Sequence, residues 1–487
     1  GITISSSGNV DSIGIITATT FKGTFDGSLS SSADATVNSV TVGKGANSVS
    51  TNTVLGASAL DAAVTGGNNT AVGSNTLTAN TSGEKNTAIG SEALQVNTTG
   101  NTNTAVGHDA LQQNTTGSNN VAVGHNALLT NNASNNVAVG YQALDANTTG
   151  TDNVGVGYGA LTDNTTGIQN TAVGLNCLAN NTTADNNTAV GRNAMVANTT
   201  GAQNTAMGVF ALDANTTANS STAIGFQSLS ANTTGAENTA AGAYSMVTNT
   251  TGTKNAALGA YSLRFNTTGD FNTAAGYQAL TANTTADNNT AFGYNTLQAN
   301  TTGTQNTAVG ALALDAVSTA SYNSAFGYSA LGANTTGAEN CAFGQSSLLS
   351  NTTGNYNTAY GSASLAYVTT GSNNTAFGRY SLLQVVSGSE NTAYGNSSLQ
   401  NNTASGNTAV GYQTLQANTS GTLNTGIGLN ALDANQTGEG NTAAGANALT
   451  DNTGHSNTAI GNRASYQNTT GRDNVAVGNN SLNANTT

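Results

Sequence analysis

Residues Asn136 to Asp152 read N-V-A-V-G-Y-Q-A-L-D-A-N-T-T-G-T-D, and this stretch of seventeen recurs, with drift, from Asn52 to the end of the chain. There are 26 such units, opened at Asn52 through Asn474, and every opening residue is Asn except Ser221. The spacing is 17 except for three steps of 16, at 120 to 136, 391 to 407 and 441 to 457. So few insertions and deletions make each unit one rigid structural turn. A period this short has no room for a helix pair or a propeller blade, so it predicts one coil of a β-solenoid.

Counting Asn136 as position 1, position 5 is Gly in all 26 units. That is the signature of a backbone with positive φ, or of a corner too crowded for a Cβ. Position 3 is Ala except at Val54, Gly155 and Gly426, and position 9 is Leu except at Met195, Met246 and Ser465. The first reads as a tight contact and the second as the main core side chain. Position 4 is apolar but ranges from Ala241 through Val139 to Tyr360, so it faces a roomier space; positions 2 to 4 are the expected strand. Position 12 is usually Asn, followed by Thr-Thr-Gly as in Asn147 to Gly150, the chemistry of a turn. Stacked coils should align these Asn side chains in a ladder, interrupted where Val317, Val368 and Val385 take the column. Acids gather at positions 10 to 11 (Asp145, Asp163, Asp213, Asp315, Asp433, Asp451) and 16 to 17 (Asp152, Asp185, Asp270, Asp287), expected as solvent-facing turns.

The remaining residues, 1–51, form a β-rich leader, with strand-like runs at Ile2 to Ile4 and Ile13 to Phe21 and a Ser-rich joint from Ser28 to Asp34. Asn38 to Gly43, N-S-V-T-V-G, is a variant opening, so a shorter coil is expected at 38–51 ahead of the array at 52–487.

Composition narrows the function. Charged residues make up 6% of the chain and proline is absent, against about 25% and about 5% in ordinary soluble domains. A register kept through 26 units argues against disorder, and missing proline fits a backbone whose N–H groups serve ladders. The net charge of -13 is spread thinly with no basic stripe, which speaks against nucleic acid. No apolar run matches a membrane span or a signal peptide, so a soluble chain is expected, and the start at Gly1 suggests a processed piece or fragment. Cys177 and Cys341 fall in different columns and read as small-residue substitutions, not a disulfide.

His108 and His125 occupy position 6 of successive units and should stack. With no carboxylate column beside them, a solvated surface column is expected, and no metal or cofactor site is assigned. Phe292, Phe326, Phe343, Tyr360, Phe377 and Tyr394 fill position 4 in one zone, where packing at a thickened core is expected over binding of a sugar or partner. Paired carboxylates or a nucleophile with its base are lacking, so no catalytic residue is named and no enzyme is expected. An ice-binding face of Thr ranks is a minor alternative, since neighbours such as Thr148 and Thr149 should point to opposite sides. Because each coil holds one Leu and a few Ala, a second apolar interface between chains is expected, and a parallel homotrimer is its simplest form.

In N-S-V-T-V-G and the N-T-A-V-G openings the chain resembles the head repeats of trimeric autotransporter adhesins, whose unit is shorter than the 17 residues here. The fuller N-T-A-V-G-x-x-A-L-x-x-N-T-T-G unit is similar to arrays in bacteriophage tail fibres, and the leader's G-I-I-T-A-T-T-F-K-G (14–23) to segments of marine phage structural proteins. The resemblance implies a stiff homotrimeric fibre shaft in a virion tail, or a cell-surface adhesin or extracellular filament of the same fold. Such a shaft meets a host-surface receptor or glycan through an end or tip, without membrane insertion.

Overall fold

The computed structural model describes residues 34–37 and 39–486; the strands and joint expected within 1–33 lie outside the described residues. Two short strands, β1 (Ala35–Val37) and β2 (Val40–Gly43), precede β3 (Thr53–Gly56). From β3 onward each coil contributes one strand, 26 in all, ending at Val475–Val477. Each strand pairs in parallel and in register with the next, so that Val137 lies over Val154, Ala138 over Gly155 and Val139 over Val156. The molecule is an all-β parallel solenoid with 17-residue coils, and no α-helix occurs among the described residues.

After β3 every strand of the array is three residues long, because position 5 stops it. Gly140 has φ +139, and a Cβ there would lie 2.3 Å from the carbonyl oxygen of Gly157 in the next coil. Both reasons for glycine, conformation and crowding, operate at once.

Beyond the strand, non-glycine residues at positions 7, 9 and 17 adopt left-handed backbone, as at Gln142 (φ 52), Leu144 (φ 53) and Asp152 (φ 60). This conformation ordinarily costs an L-residue roughly 1–2 kcal/mol. It recurs because it turns the chain while keeping the peptide groups along the rod axis, so inter-coil bonding continues round the corners. Leu77 N–H donates to the Ala93 carbonyl at 3.2 Å in the coil after it, and Asn75 N–H to the Ala57 carbonyl at 2.9 Å in the coil before. The ladder is therefore far longer than the strand.

Inside, position 3 Ala and position 9 Leu are fully buried, as at Ala138 and Leu144. Position 8, mostly Ala or Ser, is buried beside them, as at Ala143 and Ser245, and two further inward columns are amides. Position 12 forms the expected ladder: Asn97 Nδ2 donates to Asn80 Oδ1 at 2.8 Å, and Asn114 Nδ2 to Asn97 Oδ1 at 3.0 Å. A second ladder runs through position 1, where Asn86 N–H donates to Asn69 Oδ1 at 2.9 Å while Asn86 Nδ2 donates to the Gly100 carbonyl at 2.9 Å. The three 16-residue coils shorten in the Asn-Thr-Thr-Gly turn. In each of them the position 1 amide still finds its carbonyl, one residue sooner, at Ala133 (2.8 Å), Ala404 (2.9 Å) and Gly454 (2.9 Å).

At the N-terminal end the chain departs from the shorter coil expected at 38–51. β2 runs antiparallel to both β1 and β3, pairing Val42 with Leu55, so it adds no rung to the parallel ladder. The Asp34 carboxylate fixes the turn behind it by accepting from the N–H groups of Lys44 (2.6 Å) and Gly45 (2.5 Å). An antiparallel strand covers the first edge, which blunts it against further pairing.

Candidate functional surface

Alternation along a three-residue strand puts position 3 inside and positions 2 and 4 outside. Position 2 is Thr in 19 of the 26 coils, Thr53 to Thr458, and position 4 is apolar in all of them. The outcome is one continuous face along the rod, a hydroxyl column beside an apolar column. Side chains of the apolar column are substantially open to solvent: Ile89, Met207, Ile224, Leu258 and Ile427 are all 41–48% exposed. None of the position 2 Thr hydroxyls makes a hydrogen bond among the described residues. Position 13 behaves differently, since Thr98 and Thr165 hydroxyls donate to the Thr115 and Thr182 carbonyls of the following coil, both at 3.0 Å.

The aromatic zone lies on this outer face, correcting the expectation of a thickened core. Phe292, Tyr360 and Tyr394 are 41–47% exposed. The physical reason is the same alternation: position 3 Ala takes the inward direction, so position 4 cannot. From Phe326 the rings stack without a break, at 4.4 Å to Phe343, 4.5 Å on to Tyr360, 5.0 Å to Phe377 and 4.5 Å to Tyr394, all within 10° of parallel. Their flat faces are spent on one another and only edges point outward. A sugar stacks on a ring face, so this column is a smooth apolar ridge more than a sugar platform.

A second ring column lies just round the corner, at positions 6 and 7. His108, His125, Tyr141 and Tyr158 stack in sequence with centroids 5.1–5.4 Å apart, as expected for the two histidines. The sequence argument missed the carboxylate beside them: Asp109, at position 7, places Oδ2 2.8 Å from His108 Nδ1. Further along, the Arg264 guanidinium rests over the rings of Phe265 (4.9 Å) and Tyr261 (5.1 Å).

The acid columns are not simply solvated turns. Burial pushes the carboxyls of Asp145, Asp213, Asp315 and Asp433 above the usual range; Asp163 adds to the effect at Asp145, and Asp451 at Asp433. At position 16 acids cap the preceding coil, as where Thr253 N–H donates to Asp270 Oδ1 at 2.6 Å and Asp270 N–H to Asp287 Oδ1 at 2.7 Å. Both cysteines are free. Cys177 is inside the coil, its thiol pushed up to about 12 by burial, whereas Cys341 stands at position 2 on the outer face, half-buried.

No helix among the described residues is long and apolar enough to cross a membrane. No protein-family model and no curated protein matches the sequence.

Proposed function

We propose that this chain is a structural fibre shaft serving adhesion or host recognition, assembled as a parallel homotrimer in a bacteriophage tail fibre. The observation that carries the reading is the outer face, where an apolar side chain stands at position 4 of every coil, outside the chain's own core and partly open to water in the single chain. Long contiguous apolar surfaces of this kind belong to interfaces. A partner that repeats at the same interval covers all coils equally, and a second and third copy of the chain about a common axis do this with no change of register. The role is mechanical and not catalytic: every coil caps its neighbour, and the rod spans roughly 125 Å at about 4.8 Å per rung. A bacterial surface adhesin or extracellular filament of the same fold is the alternative within this reading.

Light scattering coupled to size exclusion tests it. The expected mass is near three times the 48.0 kDa chain, falling to one chain when Val139→Asp, Ile224→Asp and Ile427→Asp are combined. A folded wild-type monomer would sink the trimer.

The free Thr hydroxyls at position 2 favour a second reading, an ice-binding solenoid, because they form one regular rank on the outer face. The rank comes from position 2 and not from paired neighbours such as Thr148 and Thr149. Inhibition of ice recrystallisation by a monomeric chain, lost on Thr205→Lys and Thr222→Lys, would decide for it.

A further inference from the structure

We propose that His108, Asp109 and His125 form a surface site for a divalent transition metal such as Zn2+. The coil register brings them together: the histidines share position 6 of consecutive coils, with rings 5.1 Å apart and 8° from parallel. Asp109 follows His108 in left-handed backbone (φ 57), which folds its carboxylate back beside the imidazole. One ligand atom from each of the three lies within 4.8 Å of the others, and among the described residues no other group of three His, Cys, Asp or Glu side chains converges in this way. The third histidine, His455, is engaged elsewhere, its Nδ1 accepting from Glu439 N–H at 3.2 Å.

A supporting residue is already in place. Gln112 Nε2 donates to Asp109 Oδ1 at 3.1 Å and to Glu92 Oε2 at 2.6 Å, holding one carboxylate oxygen and leaving Oδ2 toward His108. Second-layer contacts of this kind orient ligands and typically change affinity tenfold to a hundredfold.

Two imidazole nitrogens and one carboxylate oxygen give three protein ligands, and water completes a tetrahedron. Zn–N bonds of about 2.0–2.1 Å need the ligand atoms closer together than they now stand. The rings must tilt out of their parallel stack, and exposed side chains can do so: the His108 side chain is 51% exposed. The mixed nitrogen and oxygen set suits Zn2+, Ni2+ or Cu2+, and not Ca2+ or Mg2+. A bound ion would clip two successive coils together. The proposal does not depend on the fibre reading.

Calorimetric titration of the full chain with ZnCl2 tests the site. One Zn2+ per chain is expected, weakened at least tenfold in His125→Ala and in Asp109→Asn, and unchanged in His455→Ala. Gln112→Ala, a positioning change, should weaken binding less than either ligand variant. Protection from diethyl pyrocarbonate, mapped by mass spectrometry on the unmutated chain, gives a reading that needs no variant to fold: Zn2+ should shield His108 and His125 but not His455. Absence of binding at 100 equivalents, retained affinity in His125→Ala, or equal modification of all three histidines overturns the proposal.

Discussion

The backbone N–H of Asn238 reaches the hydroxyl of Ser221 at 3.3 Å, where Asn255 N–H meets the Asn238 amide oxygen at 2.9 Å. Ser221 is the one opening residue that is not Asn. Its short side chain keeps a strained version of the acceptor and has no amide to send to the Gly235 carbonyl, which Asn238 Nδ2 takes instead at 3.1 Å. Replacing Ser221 with Asn should tighten one ladder bond and add another, stabilising the chain by about 1 kcal/mol per net bond. A rise in the thermal midpoint checks this; a fall would mean that the coil has closed around the smaller residue.

A similar gap interrupts the position 12 ladder. Val317 is fully buried in the Asn column, and the amide oxygen of Asn300 beneath it is left without a partner. Val317→Asn should reconnect Asn300 to Asn334 and gain roughly 1–3 kcal/mol, the usual cost of a buried unsatisfied polar group. Unfolding by denaturant is the measurement. No gain would show that valine's apolar contacts balance the missing amide.

Gly242 at position 5 and Gly155 at position 3 should respond differently to alanine. In Gly242 φ is +144 and a Cβ would fall 2.5 Å from the backbone of Gly259, so Gly242→Ala should cost roughly 2–5 kcal/mol through overlap and backbone strain. Gly155 has ordinary strand backbone, and its Cβ would meet nothing nearer than the Ala160 carbonyl at 3.2 Å. Gly155→Ala should be neutral or mildly stabilising. Equal loss in both would mean that inter-coil spacing cannot adjust anywhere.

Stability should increase on mild acidification. Burial raises the folded-state pKa of Asp433, and Asp451 raises it further. A carboxyl raised on folding lends stability that is fully present below its ordinary range and is lost as pH rises through the folded value. The thermal midpoint should therefore climb as pH falls from 7 toward the usual carboxylate range, and Asp433→Asn should raise the midpoint at pH 7 while flattening that slope. An unchanged slope in the variant would assign the effect to other carboxyls.

Thiol chemistry separates a free outer face from a covered one. Cys177 is silent in either case, its thiol pushed up to about 12. Cys341 should also stay silent in a trimer built on that face, yet take up one label per chain in the Val139→Asp, Ile224→Asp, Ile427→Asp combination. Rapid labelling of native wild-type protein would place the interface elsewhere.

Much of this fold is legible in the repeat. Glycine at position 5, Ala at 3 and Leu at 9 announce the coil, because each is a demand of backbone geometry or core volume repeated 26 times. The direction of position 4 was harder to read: an apolar column marks burial, but whether in the chain's own core or against another chain is not written in hydrophobicity. The left-handed turns left a fainter trace. Positions 7 and 9 contain no Val, Ile or Thr, the residues that resist positive φ, and that absence could have located two of the three corners. Asp109 escaped notice because it sits one residue off the histidine column and is folded back only by its own left-handed backbone.

The ladders run along the rod, so a lengthwise pull loads their bonds in tension, one coil at a time. Each 17-residue coil stores about 55–60 Å of contour in a rung of about 4.8 Å. A chain under tension should therefore lengthen in even steps of roughly 50 Å, each step dissipating the load that would otherwise reach whatever the rod is attached to. Peeling from the β2 side must first break an antiparallel pairing held by Asp34, so the first parallel coil is guarded against the opening step on that side.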